Sequence, residues 1–177
     1  MEENYKFSKG SPIFESSNTI ILNIDSEKHE KQLLAKVSAK QPPDEFTIES
    51  FKRDFQFSQT LYQKFPDCFL NMIKLVEEEN SIFIIEEAED EALQEYLKKK
   101  GSLGIKEFLE KSIFMCKTLY NLHSCNIIHR DIKTSNFVLS IKTREPKLID
   151  FGISTFVSRK SPSVTCTVPI GTYFYMR

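Results

Sequence analysis

Residues 128–137 read Ile-His-Arg-Asp-Ile-Lys-Thr-Ser-Asn-Phe, and nineteen positions beyond Asp131 the chain reads Leu148-Ile149-Asp150-Phe151-Gly152. No other pair of stretches restricts the fold as much. Between them lie Phe137-Val138-Leu139-Ser140 and Pro146-Lys147-Leu148-Ile149, two short apolar segments flanking a basic turn that read as paired strands. Such a ribbon holds a loop bearing Asp131, Lys133 and Asn136 beside a turn bearing Asp150, with the rigidity that placing charged side chains requires. Gly152 is expected to let the backbone turn sharply after Phe151.

Asp131, Lys133 and Asn136 in register, with Asp150 after a Lys-Leu-Ile strand, resemble the catalytic loop and metal-binding turn of the eukaryotic protein kinases. Phosphoryl transfer leaves the protein little covalent work, so such a site holds ATP, Mg2+ and a hydroxyl in line while neutralising charge. The resemblance implies that Asp131 accepts the proton of a protein substrate's hydroxyl and that Lys133 contacts the transferring phosphate. Asn136 and Asp150 would supply the oxygen ligands Mg2+ prefers. His129 reads as structural, bonded to backbone near Asp150 and stacked beneath Phe151. Lys133 points to the serine/threonine type. The implied fold is α+β and two-lobed: an N-lobe antiparallel sheet plus helix over 1–85, a hinge over 86–91, and a helical, incomplete C-lobe over 92–177.

Upstream, Thr19-Ile20-Ile21-Leu22-Asn23-Ile24 and Leu33-Leu34-Ala35-Lys36-Val37 read as strands separated by a charged turn. Lys36 fits the lysine that pairs with the α- and β-phosphates, although a lysine snorkelling from an edge strand would look the same. Ile21, Leu34 and Val138 fall at positions that line the adenine pocket, Leu34 replacing the usual alanine and narrowing it. The phosphate-cradling hairpin departs from the family. Counting from Ile21, its three glycine positions hold Phe14, Ser16 and Thr19; starting from Gly10 instead recovers one glycine but leaves Pro12 and Glu15. Ser16, Ser17 and Asn18 are left to donate hydroxyl and amide hydrogens in place of close backbone approach.

Thr47 to Phe65 carries a helical apolar stripe with Thr47 available as N-cap. The resemblance makes it the regulatory helix and puts Asp54 where a glutamate pairs with the strand lysine, with Glu49 as the alternative. Ser58 stands where a hydrophobe is usual, so loose docking is expected. Phe69 to Glu77 and Ser81 to Ile85 read as strands. By resemblance Ile85 is the gatekeeper at the back of the adenine pocket. The backbone of Glu86, Glu87 and Ala88 would then hydrogen-bond adenine.

Helical patterns begin at Ala92, ending in Lys98-Lys99-Lys100-Gly101, and run from Ile105 to His123. Ile153 to Arg177 resembles an activation segment. In it Ser161, Ser163, Thr165 and Thr167 are candidate phosphorylation sites for Arg130 to clamp, and Thr172 would bond both Asp131 and Lys133. Lys147 to Ile153, Asn136-Phe137 and Gly171-Thr172 with Tyr175-Met176 are similar to the monopolar-spindle checkpoint kinases. The Pro-Glu and further helices expected after Arg177 are missing, so a piece of a longer kinase domain is the expectation.

Charge excludes other classes. With 24 Lys and Arg against 25 Asp and Glu, the net charge of -1 argues against nucleic-acid or anionic-membrane partners. Cys68, Cys116, Cys125 and Cys166 form no Cys-x-x-Cys pair, and no apolar run is long enough to span a membrane, so cytoplasmic or nuclear residence is expected. Two alternatives stay open. One is a pseudokinase or kinase-like scaffold with weak or no ATP turnover, which the missing glycines, Leu34 and Asp54 support. The other is a small-molecule kinase of similar fold.

Overall fold

The computed structural model describes residues 6–7, 11–25, 31–157 and 171–175. The first lobe is built on one antiparallel sheet. β1 (Lys6–Phe7) and β2 (Phe14–Glu15) both pair with β3 (Thr19–Asp25), which pairs with β4 (Leu33–Ser38). After α1 (Glu45–Lys64) come β5 (Met72–Glu77) and β6 (Ile82–Glu87), with β6 between β4 and β5. The strand expected from Phe69 begins only at Met72. Phe69 instead forms a bridge with Leu148 and is fully buried in the second lobe's core.

The cap of α1 is Asp44 rather than Thr47. Its Oδ1 accepts the Thr47 amide at 2.8 Å and the Thr47 hydroxyl at 2.5 Å, so Thr47 lies inside the first turn. Phe51, with Ile48 and Phe55, packs against Met72, Ile82 and Ile84 of the sheet. One to three turns on, Phe57 and Leu61 enter the second lobe's core beside Phe151. Each such side chain contributes about 1.5–3 kcal/mol when fully buried, so α1 fastens the lobes to each other. The loose docking expected from Ser58 does not occur, because Ser58 is itself buried with its hydroxyl directed at Asp54, at 3.5 Å.

The second lobe holds α2 (Leu93–Lys100), ended by Gly101 at φ 79, and α3 (Ile105–Ser124). β7 (Ile127–Ile128) follows, then β8 (Phe137–Leu139) paired with β9 (Pro146–Leu148), and β10 (Thr155–Phe156) pairs back onto β7. Phe137, Leu139, Leu148 and Phe151 pack with Phe69, Leu93, Leu122 and Ile127 as one core. The far face of α3 leaves Ile105, Ile113 and Tyr120 about seven-tenths exposed, an apolar surface uncovered by any described residue. The architecture is a two-lobed α+β fold whose helical lobe is incomplete.

Candidate active site

Alternation along β4 turns Lys36 and Leu34 to the same face of the sheet, opposite Ile84 and Glu86 in the β4–β6 register. From there the Lys36 Nζ lies 2.6 Å from Asp54 Oδ2 of α1 and 3.0 Å from Asp150 Oδ1. Three separate elements thus meet at one ammonium. Burial alone would lower the Lys36 pKa, but the charges of Asp150 and Asp54 outweigh it and hold the group protonated above its ordinary range. The Lys36 charge in turn keeps the Asp150 carboxyl below its ordinary value, against burial.

Asp54 is 1% exposed and bonded on both oxygens, its Oδ1 accepting the Phe151 amide at 2.8 Å. An aspartate, a methylene short of glutamate, reaches because α1 packs directly on the turn that carries Phe151 and Gly152. A Cβ added at Gly152 would sit 2.3 Å from Ser50 Oγ, and Arg53 donates to the Gly152 carbonyl at 2.9 Å. The chain turns at Gly152, with the Ser154 amide donating to the Phe151 carbonyl at 3.0 Å, and close approach of the helix adds a second demand for glycine there. The left-handed backbone falls instead on Asp150 at φ 68 and Arg130 at φ 71, conformations that cost about 1–3 kcal/mol each. Glu49 lies away from Lys36, lining a cavity of about 440 Å³ with Lys52, Arg53 and Arg130.

On the other side, Asp131 is held by three neighbours. Its Oδ2 lies 2.6 Å from Lys133 Nζ and 3.0 Å from Asn136 Nδ2, and its Oδ1 accepts the Thr172 hydroxyl at 2.6 Å. Thr172 in turn accepts from Lys133 at 2.8 Å, closing a small ring. Burial would raise the Asp131 pKa, but the bonds from Lys133 and Thr172 bring it below the ordinary carboxylate value. The Asn136 amide also donates to the Asp131 carbonyl at 2.8 Å. With both its hydrogens directed at Asp131, its Oδ1 has no donor among the described residues and suits a hard cation beside the partly exposed Asp150 carboxylate.

His129 accepts the Asp131 amide on Nδ1 at 3.2 Å and donates from Nε2 to the Ile149 carbonyl at 2.9 Å, which identifies the neutral Nε2-H form. Burial lowers its pKa further. It meets Phe151 edge-on, with centroids 5.0 Å apart, rather than stacked. Its place is to hold the loop against the turn.

The back wall differs from the expectation by one residue. Ile85 packs on the opposite face of the sheet with Ile24, Leu33 and Val37, so it does not line the cleft. The residue that does is Glu86, directly across from Leu34. The Ala88 amide is also engaged, donating to the Gln32 carbonyl at 2.9 Å, and so is not free for a base. Single-residue strand alternation is the signal that would have found Glu86, but only once the β4 pairing was known.

β2 and β3 form a tight hairpin with Phe14 opposite Ile21 and Glu15 opposite Ile20. Ser16 Oγ accepts the Thr19 amide at 3.1 Å and donates to the Thr19 carbonyl at 3.2 Å, so its hydroxyl is spent on the turn instead of free for phosphate. Val138 alternates away from the core residues Phe137 and Leu139. Gly10, Ser161, Ser163, Thr165, Cys166 and Thr167 lie outside the described residues.

The family described as Protein kinase domain matches residues 14–177. This chain belongs to the protein kinase family. It is 31% identical over 133 residues to the dual specificity protein kinase TTK of Mus musculus, covering 75% of this chain and 15% of that protein. It is 44% identical over 87 residues to the dual specificity protein kinase zakA of Dictyostelium discoideum, covering 48% and 11%. A putative serine/threonine-protein kinase A of Trypanosoma brucei brucei is 31% identical over 135 residues, covering 71% and 31%. The chain spans well under half the length of these relatives. No helix among the described residues is long and apolar enough to cross a membrane.

Proposed function

We propose that this chain carries the active site of an ATP-dependent protein serine/threonine kinase that moves the γ-phosphate of ATP to a protein hydroxyl. The observation that carries the reading is the meeting of Lys36 with Asp54 and Asp150, which joins sheet, helix and metal turn around one charge. Asp131 takes the hydroxyl proton on a carboxylate that Thr172, Lys133 and Asn136 aim. Lys133 contributes charge at the transferring phosphate, and Lys36 orients the α- and β-phosphates. Asn136 Oδ1 and Asp150 would hold Mg2+, which neutralises phosphate charge when bound. Ile21, Leu34 and Val138 face the base. With the Glu87, Ala88 and Asp90 amides all donating within the protein, the Glu89 amide between them is left to reach adenine.

Arg130 has no partner among the described residues and shares its cavity with Lys52 and Arg53, which supports its clamping a phosphate on Thr165 or Thr167. TTK and zakA are described as dual specificity kinases, so tyrosine belongs in the acceptor assay. The test is transfer of labelled γ-phosphate to serine-, threonine- and tyrosine-containing proteins. Transfer to none of them, with nucleotide still bound, overturns the reading. A second reading, a kinase-shaped binding module without turnover, is favoured by the hairpin that closes on its own Ser16. It predicts no rise in melting temperature with millimolar ATP and Mg2+.

A further inference from the structure

Glu86 is an acidic side chain on the cleft face that no described residue pairs with. The residue is 7% exposed, and no hydrogen bond or ion pair to its carboxyl occurs among the described residues. Its neighbours explain why. Across the strand pair stands the apolar Leu34, and two pairs further along Lys36 already serves Asp54 and Asp150. Glu86 feels the charges of Lys36, Asp54 and Asp150, and burial pushes its pKa up to about 8. Among the described residues the buried side-chain oxygens left without a partner are Thr118 Oγ1 and Glu145 Oε2, so the Glu86 carboxyl is not sealed in: it opens on the cleft, where a ligand's hydrogen can reach it.

The ligand is the nucleotide, and this inference rests on the nucleotide-binding reading above. ATP offers few hydrogens to an acceptor: the exocyclic amino group of the base and the two ribose hydroxyls. Its ring nitrogens and phosphates only accept. The phosphates belong at the Lys36 end of the cleft, whereas Glu86 lies two register pairs away, against the Leu34 that faces the base. We propose that Glu86 is a specificity-determining residue whose carboxyl oxygen accepts a hydrogen bond from the base's exocyclic amino group, selecting a 6-amino purine over a 6-oxo purine. Protonated or ionised, the group keeps an oxygen that can accept this bond. In its ionised form, which accepting from the amino group favours, it has no hydrogen to give a 6-oxo oxygen, and that mismatch is the kind that discriminates strongly.

The test titrates ATP, inosine triphosphate and 2′-deoxy-ATP, each with Mg2+, against the wild-type chain and its Glu86→Leu, Glu86→Met and Glu86→Gln variants. Affinities are read by calorimetry. The expected result is that the preference for ATP over inosine triphosphate falls about tenfold in Glu86→Leu and Glu86→Met. It should fall in Glu86→Gln as well, because the amide can turn its NH2 to a 6-oxo oxygen. The ratio of ATP to 2′-deoxy-ATP should not move. The apolar variants should also melt several degrees higher without nucleotide, since they bury no unpaired carboxyl. An unchanged base preference in both apolar variants overturns the assignment while leaving nucleotide binding intact. A change confined to 2′-deoxy-ATP overturns it in favour of ribose contact. Failure of every nucleotide to bind the wild type removes the nucleotide reading and this inference together.

Discussion

The hairpin over Phe14–Ile21 and the ribbon from Asp131 to Asp150 would touch the same phosphates, yet they are built in opposite ways. The ribbon is tied across the molecule: Asp131 to Thr172, Asp150 to Lys36, the Phe151 amide to Asp54. The hairpin is tied to itself, through Ser16 and Thr19 and the β2–β3 ladder, with Phe14 half exposed. What differs is the kind of atom used. Side-chain chemistry is intact and over-determined in the ribbon, while the backbone chemistry that glycines allow is absent from the hairpin.

The comparison breaks most plainly at Asp131. Asp131→Asn should reduce phosphoryl transfer by about a thousandfold, while ATP and Mg2+ still raise the melting temperature. Retained turnover in a single-turnover assay would take the base away from the ribbon. Next comes Asp54→Ala, which leaves Lys36 and the Phe151 amide without their buried partner and should cost about 3–5 kcal/mol in urea unfolding. A cost below 1 kcal/mol would mean that the cross-lobe tie is ornamental.

Gly152→Ala sharpens the same point through shape. Its new Cβ meets Ser50 Oγ, so a loss of about 1–3 kcal/mol is expected, with Ser50→Ala in the same chain recovering most of it. Equal losses with and without Ser50 would move the constraint elsewhere.

Glu86 makes the sheet wall of the cleft sensitive to pH. The folded carboxyl keeps its proton to about pH 8, whereas its ordinary value is 4.5. Between these values the folded chain holds more protons than the unfolded one, so stability falls as pH rises and levels off above about 8. The slope attributable to this group is at most about 1.4 kcal/mol per pH unit, and Glu86→Gln should remove it. Persistence of the slope in that variant would assign it to another group.

The smallest effect belongs to the hairpin. Ser16→Ala should change stability by no more than about 1 kcal/mol and leave ATP affinity as it was, because that hydroxyl serves only its own turn.

Much of the molecule was legible in residue order because the interactions concerned are local or follow a short period. The strands around Ile21 and Lys36, the apolar stripe of α1 and the catalytic loop's spacing all declare themselves within a few residues. Errors clustered where the partner lay far along the chain. Met72 begins its strand late because Phe69 is drawn to Leu148, seventy-nine positions away, and the Asp54 at which Ser58 points is bonded to Phe151, ninety-seven positions away. The cap of α1 was missed for a different reason: Asp44 and Thr47 are both good caps, and only coordinates show which one accepts from the other.

Residue types and spacings alone determined that Asp131, Lys133, Asn136 and Asp150 share one ribbon, because they lie within a short stretch of backbone whose strands pair locally. Tertiary structure alone decided that Asp54 reaches Lys36 and that Glu86, not Ile85, faces the cleft. Both depend on which face a strand presents and how closely a helix approaches, and those are set by packing between segments that sequence order keeps apart.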